Sequence, residues 1–262
     1  MLRSCNAVLV DLPRTGAVAR VEHRGGPALS ARIAASARLF ARCGAPTIRL
    51  LYAADAVTIW PRLTAVRAVT PRELGAVIRD LHERSAGALA PDLPALDPFV
   101  ELAALLADAA RDPRWPAADV DRLRDLAAAH ARRWHALAGD DPLGPAVVHG
   151  DVHRNNVIVT ADGPVLIDLE LAGVGPRTWD FVQLGAAVHR YGREPAALDD
   201  FIAGYGADPR RWEGFVALRD GYELLSAVWA AAFRRRDATF AREAELRVAG
   251  VLGRSDAAWT LL

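Results

Sequence analysis

VVHGDVHRNNVIVTADGPVLIDLELAGVGPRTWDF, residues Val147 to Phe181, is the stretch that decides the reading of this chain. The apolar pair Val147-Val148 leads into a polar loop in which Asp151 and Asn156 stand five positions apart. A second apolar run, Val165 to Ile167, ends at Asp168. The pattern predicts that three oxygen-bearing side chains converge on one end of a small hairpin. Phosphoryl transfer asks little covalent chemistry of a protein. It needs a carboxylate to orient or deprotonate the attacking hydroxyl, and hard oxygen ligands for Mg²⁺. A kinase catalytic loop supplies them as an Asp, an Asn at the fifth position after it, and a later metal-binding Asp. Asp151, Asn156 and Asp168 fit in that order, which makes Asp151 the candidate catalytic residue and Asn156 and Asp168 the candidate metal ligands.

The words around these residues are His149-Gly150-Asp151-Val152-His153-Arg154-Asn155-Asn156, Ile167-Asp168-Leu169-Glu170 and Gly175-Pro176-Arg177-Thr178-Trp179-Asp180-Phe181. They resemble the aminoglycoside phosphotransferase family, also called the phosphotransferase enzyme family, whose loop reads HGDxHxxN and whose later segment reads IDWE, GP and WDL. Asn6-Ala7-Val8, Ala17 to Val21, Gly44-Ala45-Pro46 and Leu81-His82 look similar to that family too.

The resemblance implies an α+β, bilobal, protein-kinase-like fold: a small, truncated β-rich N-terminal lobe over residues 1–63, with a hinge at its end, and a large helical C-terminal lobe over 64–262 carrying the catalytic loop and acceptor site. It implies an ATP- and Mg²⁺-dependent O-phosphotransferase that moves the γ-phosphate to a hydroxyl of an antibiotic, sugar or amino-alcohol-like small molecule. Arg20 then stands where the family places its phosphate-contacting cation, and backbone around Trp60 to Arg62 receives the adenine. His149, His153 and Asp180 become supports of the loop. Glu170, two positions beyond Asp168, points to the same side of an extended strand.

Two features depart from the family pattern. The position on the following helix where kinases hold the cation with a Glu is Ile33, aligned back from Gly44-Ala45-Pro46. In place of a glycine-rich loop, only Leu2 to Asn6 precede the strand, so Ser4, Asn6 and local backbone are what can cover the phosphates. These departures motivate a second reading, a nucleotide-binding pseudokinase serving as an interaction module. A third is a metallohydrolase, because His149-x-Asp151-x-His153 is also a metal-ligand spacing, though the other histidines bring no paired carboxylates to complete a ligand set.

Composition bounds the rest. The 262 residues can bury a substantial core. The 32 basic residues balance 32 acidic ones, which removes a global electrostatic case for nucleic acid or an anionic membrane. Lysine is absent, so every strong cation is arginine, whose planar fork pairs with phosphate bidentately but is not a substitute for a compact ammonium. Cys5 and Cys43 are too few for a disulfide scaffold, and Asp11, Pro13 and Arg14 break the first apolar run, so a cytoplasmic protein without a signal peptide or membrane span is expected.

Along the chain, β-prone runs at Ala7–Leu12 and Ala17–Glu22 flank a turn at Pro13 to Gly16. Helical spacing follows over Ala28–Arg42, then strands at Ile48–Tyr52 and Ala56–Trp60 around Ala53 to Asp55. Thr70 and Glu73 form a capping box for a helix over Pro71–Arg84. Further helices are predicted at Pro98–Ala110 and Ala117–Leu137, separated by Pro-rich connections around Ala90 to Pro94 and Pro113 to Pro116, and then from Thr178 to the C-terminus. Asp220 and Glu223, three apart on a predicted helix one heptad after Glu213, are candidates for attracting a cationic acceptor. The neighbouring Arg210, Arg211 and Arg219 favour a solvated, ion-paired face instead. Trp212 and Trp229 are read as core ahead of pocket residues.

Overall fold

A computed structural model of the chain describes residues 2–3, 7–22, 26–86, 93 and 95–262. Ser4, Cys5 and Asn6 lie outside the described residues, as does most of the Pro-rich connection around Ala90 to Pro94. The contacts divide the chain into two compact units.

The first unit comprises Met1–Leu96, Pro145–Asp180 and Asp199–Ala207. Its principal sheet holds β1 (Leu2–Arg3), β2 (Ala7–Leu12), β3 (Ala17–Glu22), β4 (Tyr52–Ala54) and β5 (Val57–Pro61), in the order β1-β2-β3-β5-β4 and antiparallel throughout. The Pro13 to Gly16 turn is where the sequence puts it, with Gly16 at φ +61°. The strand expected at Ile48–Tyr52 forms later: Ile48 instead donates to Leu166 O, and pairing with β5 starts near Leu51. Asp55, at φ 49°, then makes the reversal, a backbone region that Asp tolerates better than most residues. Helix α1 (Gly26–Cys43) buries Ile33, Ala34, Ala37 and Phe40. Helix α2 (Pro71–Ser85) carries the anticipated box, with the Thr70 hydroxyl accepting from Glu73 N and Glu73 reaching back to Thr70 N.

The predicted single hairpin around the polar loop is two separate ladders. β6 (Pro145–Val148) pairs with β9 (Gly173–Pro176), while β7 (Val157–Thr160) pairs with β8 (Gly163–Leu166). The polar loop therefore leaves one ladder and enters the other. Backbone bonds from Leu166 N to Pro46 O and from Val66 N to Val159 O stitch the second ladder to the segments around β4 and β5.

The second unit comprises Asp97–Gly144, Phe181–Leu198 and Asp208–Leu262. It contains α3 (Pro98–Ala109), α4 (Ala117–Gly139), most of α5 (Trp179–Arg190), the start of α6 (Pro195–Tyr205), α7 (Glu213–Ala232) and α8 (Ala238–Val251). α7 packs on α3, α4 and α8, and Leu102, Leu218, Leu224, Val228 and Val248 are among its buried residues. Gly221 of α7 makes room for Phe99, whose ring would lie 3.1 Å from an added Cβ. The helices stop at Val251 rather than continuing to the C-terminus. The tail beyond returns, burying Trp259 and donating Trp259 N–H to Arg190 O. Trp229 packs with Phe233 and Phe240. Among the described residues no helix is long and apolar enough to cross a membrane, and Cys43 is a free thiol.

Candidate active site

The loop after β6 is shaped by one buried carboxylate. Asp180, at the start of α5 and fully buried, accepts His149 N–H on Oδ2 and Gly150 N–H on Oδ1, both at 2.8 Å. His82 of α2 donates Nε2 to the same Oδ2 at 2.9 Å, while its Nδ1 meets the Tyr205 hydroxyl at 2.9 Å. Trp179 Nε1–H closes the turn on Gly150 O. Gly150 has φ +85°, and a Cβ there would fall 2.3 Å from Leu171 O, so both the backbone angle and the space require glycine. Asp180 is thus a clamp on loop backbone and not a conventional helix cap.

His149 braces the loop as expected. Its Nδ1 accepts Asp151 N–H at 3.3 Å, so Nε2 carries the proton and donates to Ile167 O at 2.9 Å. That bond ties the residue before Asp168 to the residue before Gly150. A further bond, Ile167 N–H to Asn156 O at 2.9 Å, extends the β7–β8 ladder by one step to the site residue Asn156.

On this frame Asp151 and Asn156 touch directly: the Asn156 amide donates to both Asp151 O (2.9 Å) and Asp151 Oδ2 (3.0 Å). With Nδ2 turned inward, Oδ1 is the atom of Asn156 left to face a cation. His153 Nε2 lies 3.3 Å from Asp151 Oδ2. Burial works to raise the Asp151 carboxyl, but the hydrogen bond and charge of His153 and the Asn156 amide outweigh it, holding the carboxyl below its ordinary range. For His153 the opposing causes are burial, which lowers, and Asp151 with Asp168, which raise; the outcome is a shift upward.

Asp168 does not contact Asp151. It sits at φ 61°, ψ 66°, the left-handed region, immediately before a single 3₁₀ turn at Leu169–Leu171. Glu170 therefore lies on that turn and not on an extended strand, yet it converges with Asp168 all the same, because both carboxylates bind Arg20. Arg20 Nη1 meets Asp168 Oδ1 at 2.7 Å and Nη2 meets Glu170 Oε2. Arg20 Nε donates to Glu22 Oε1 at 2.5 Å. Burial opposes the Arg20 charge, but the three carboxylates dominate and raise it further above its already high range. Glu22 was not legible as a site residue, although its i, i+2 spacing puts it on the face of β3 that Arg20 occupies. Arg32 of α1 also reaches the cluster, donating Nη2 to Glu170 O at 2.5 Å.

Arg20, Asp168, Trp60 and Arg62 line one cavity of about 380 Å³ whose apolar walls include Val18, Ile33, Ile48 and Ile158. Arg62 forms an ion pair with Asp11 at 3.0 Å, and its N–H is donated to Gly16 O, so that donor is engaged within the sheet. Trp60 Nε1 is likewise spent on Thr58.

Asp220 and Glu223 belong to the second unit. Asp220 pairs with Arg219 at 2.9 Å. The ion-paired face expected there is present with Asp220 half-exposed, but Glu223 is 2% exposed and so is not solvated. Arg190 (2.7 Å), His189 (2.6 Å) and Arg219 (3.4 Å) surround it, leaving it no free charge for an acceptor. Among the described residues no group of three or more His, Cys, Asp and Glu side chains is arranged to hold a metal ion.

A model of the phosphotransferase enzyme family matches residues 6–215. The chain belongs to that family. Among solved structures, it is similar to a choline/ethanolamine kinase family protein from Mesorhizobium loti, with 19% identity, a TM-score of 0.68, and 97% of this chain and 86% of that one covered. It is similar also to choline kinase LicA from Streptococcus pneumoniae, with 12% identity, a TM-score of 0.70 and 97% and 92% covered. Spectinomycin phosphotransferase in its AMP-bound complex gives 16% identity, a TM-score of 0.55 and 96% and 88% covered. These likenesses establish the α+β, kinase-like fold. No curated protein sequence matches significantly.

Proposed function

We propose that the chain is a cytoplasmic, ATP- and Mg²⁺-dependent O-phosphotransferase acting on a small hydroxyl compound: an antibiotic, a sugar or an amino alcohol. The observation that carries this is the Asp151–Asn156 contact held on the Asp180 clamp, beside a cavity into which Arg20 and Asp168 project. Family membership and the nucleotide named in the spectinomycin phosphotransferase structure support it. Choline, ethanolamine and antibiotic kinases among the similar structures set the breadth of acceptor chemistry; an antibiotic acceptor would make the activity one of resistance.

The donor set suits magnesium. Asn156 Oδ1 and the Asp168 carboxylate are hard oxygens, Glu170 shares Arg20 with Asp168, and a Mg²⁺ ion commonly takes only one or two protein carboxylates, completing its shell with phosphates and water. When bound, the ion neutralises charge on the phosphate oxygens. The protein's own residues do the rest. Asp151, its carboxyl held below the ordinary range by His153 and Asn156 against the effect of burial, is a weak base and so serves chiefly to orient the acceptor hydroxyl. Arg20 supplies the cation for phosphate, its two Nη groups meeting Asp168 and Glu170 in this structure. The apolar walls and the Trp60 to Leu63 backbone, at the boundary we assign between the nucleotide lobe and the helical lobe, accommodate the base. Any phosphate contact by Ser4 or Asn6 belongs to the same proposal.

Supplying ATP, Mg²⁺ and a library of hydroxyl compounds tests this. Asp151→Ala is expected to lower transfer by about a thousandfold with folding intact, and unchanged turnover in that variant would refute the assignment. Ile33, at the position of the kinase helix Glu, favours the second reading, a pseudokinase; ATP binding with no product across the library would select it.

A further inference from the structure

We propose that Glu22 is the positioning residue for the phosphate cation of this enzyme, taking on a strand the task that a helix carboxylate performs where Ile33 now stands. The inference rests on the reading of Arg20 as a phosphate contact. Three observations carry it.

The first is placement. Glu22 is two residues from Arg20 on β3, so strand geometry alone aims both side chains to one side. Its N–H, donated to Ala56 O, ties the end of β3 to the segment leading into β5. A carboxylate at Ile33 would have to come from a different element.

The second is exclusivity. The Glu22 side chain has no solvent exposure, its Oε1 binds Arg20 Nε, and its Oε2 has no hydrogen-bond partner. A buried carboxylate with one partner is bound to that partner for its own charge balance. By contrast, the carboxylates on the two Nη groups are half-exposed or partly exposed: Asp168 is 35% and Glu170 18% exposed at the side chain.

The third is the division of the guanidinium. Glu22 takes Nε, the atom nearest the stem, while Asp168 and Glu170 take Nη1 and Nη2. Asp168 is also a proposed magnesium ligand. A cation held by Asp168 would compete with Arg20 for that carboxylate and leave Nη1 available to phosphate, while Nε stays on Glu22 and Nη2 on Glu170. Arginine gives Nε to the strand carboxylate and has two further nitrogens for other partners. Ile33, relieved of any ionic task, is 1% exposed and adds an apolar wall to the cavity.

Glu22→Gln, which keeps the shape and a hydrogen-bond acceptor, tests the charge. Nucleotide binding is measured by calorimetry and turnover by product formation, with Asp151→Asn as a control that binds ATP without transferring it. Glu22→Gln is expected to raise the ATP KM and Kd about tenfold while kcat falls less than threefold, and Ile33→Glu in that background is expected to recover at least part of the affinity. A purely structural role for Glu22 predicts instead a lowered Tm with KM unchanged and no recovery; that result, or an ATP KM within twofold of wild type, overturns the proposal. The wild type supplies a reading that needs no variant at Glu22: the Arg20 Nε–H resonance, assigned by its loss in Arg20→Lys, should stay slow to exchange with water when ATP and Mg²⁺ are added. Loss of its protection on nucleotide binding overturns the proposal also. Wild-type protein that binds no ATP defeats the nucleotide reading itself; wild-type protein that binds and transfers, with Glu22→Gln indistinguishable from it, defeats only the role of Glu22.

Discussion

Asp180 in the first unit and Glu223 in the second are both buried carboxylates, 0% and 2% exposed, and they are satisfied in opposite ways. Asp180 takes two backbone N–H groups and one imidazole. Glu223 takes cationic side chains from α5 and from its own helix. Backbone donors fix where a chain runs; side-chain cations fix how two helices are registered. The first arrangement is what a polar loop needs to offer Asp151 and Asn156 in one geometry, because the loop lacks a continuous ladder of its own. The second suits the packing of one helix on another.

Removing Asp180 should break this contrast most severely. Asp180→Ala strands two loop N–H groups and His82 without a buried acceptor, at a cost of about 4 kcal/mol from three lost partners, and chemical denaturation should read it together with near-complete loss of transfer. Glu223→Ala leaves Arg190 and Arg219 without their shared buried anion. A loss of about 3 kcal/mol is expected, with the ATP KM unaltered; a changed KM would mean that the two carboxylates are not separable in function.

Glu73 sharpens the comparison by combining both modes at the surface, accepting Thr70 N–H and binding Arg67. Thr70→Ala should cost about 1 kcal/mol, the usual worth of a lost helix cap. The Arg67 hydrogen bond, with those from Thr70, holds the Glu73 carboxyl down at about 2 instead of the usual 4.5. A carboxylate depressed on folding stabilises above its unfolded value and loses that contribution as acid protonates it. The smallest effect follows: thermal scans should show a stability increment lost between about pH 4.5 and pH 2, and Glu73→Gln should flatten that segment of the profile.

How much of this could be read from the chain depended on the range of the interactions. Thr70 and Glu73 are three apart, and their box formed as the local pattern requires. Asp151 and Asn156 are five apart and share a loop, so their contact was legible as well. β9 was not, since Gly173-Val174-Gly175-Pro176 has the composition of a turn. It is a strand because β6 supplies its ladder, and Gly175 lets Leu96 approach to 3.1 Å of where a Cβ would be. The His82–Asp180 bond spans 98 residues and His82–Tyr205 spans 123, distances over which single-residue patterns carry no signal. Glu22 escaped for another reason. A charged residue at the end of a short strand reads as an exposed edge, and only the packed sheet reveals that its side chain is enclosed.

Asp168 holds a torsion that glycine would adopt freely and that costs an ordinary L-residue about 1 kcal/mol or more. Asp168→Gly should relieve the main chain there, and it would forfeit the oxygen that meets Arg20. The gain in torsional freedom would then be set against an arginine left with one fewer counter-charge in a nearly enclosed position, so the bent main chain and the ion pair at this residue are two halves of one compromise.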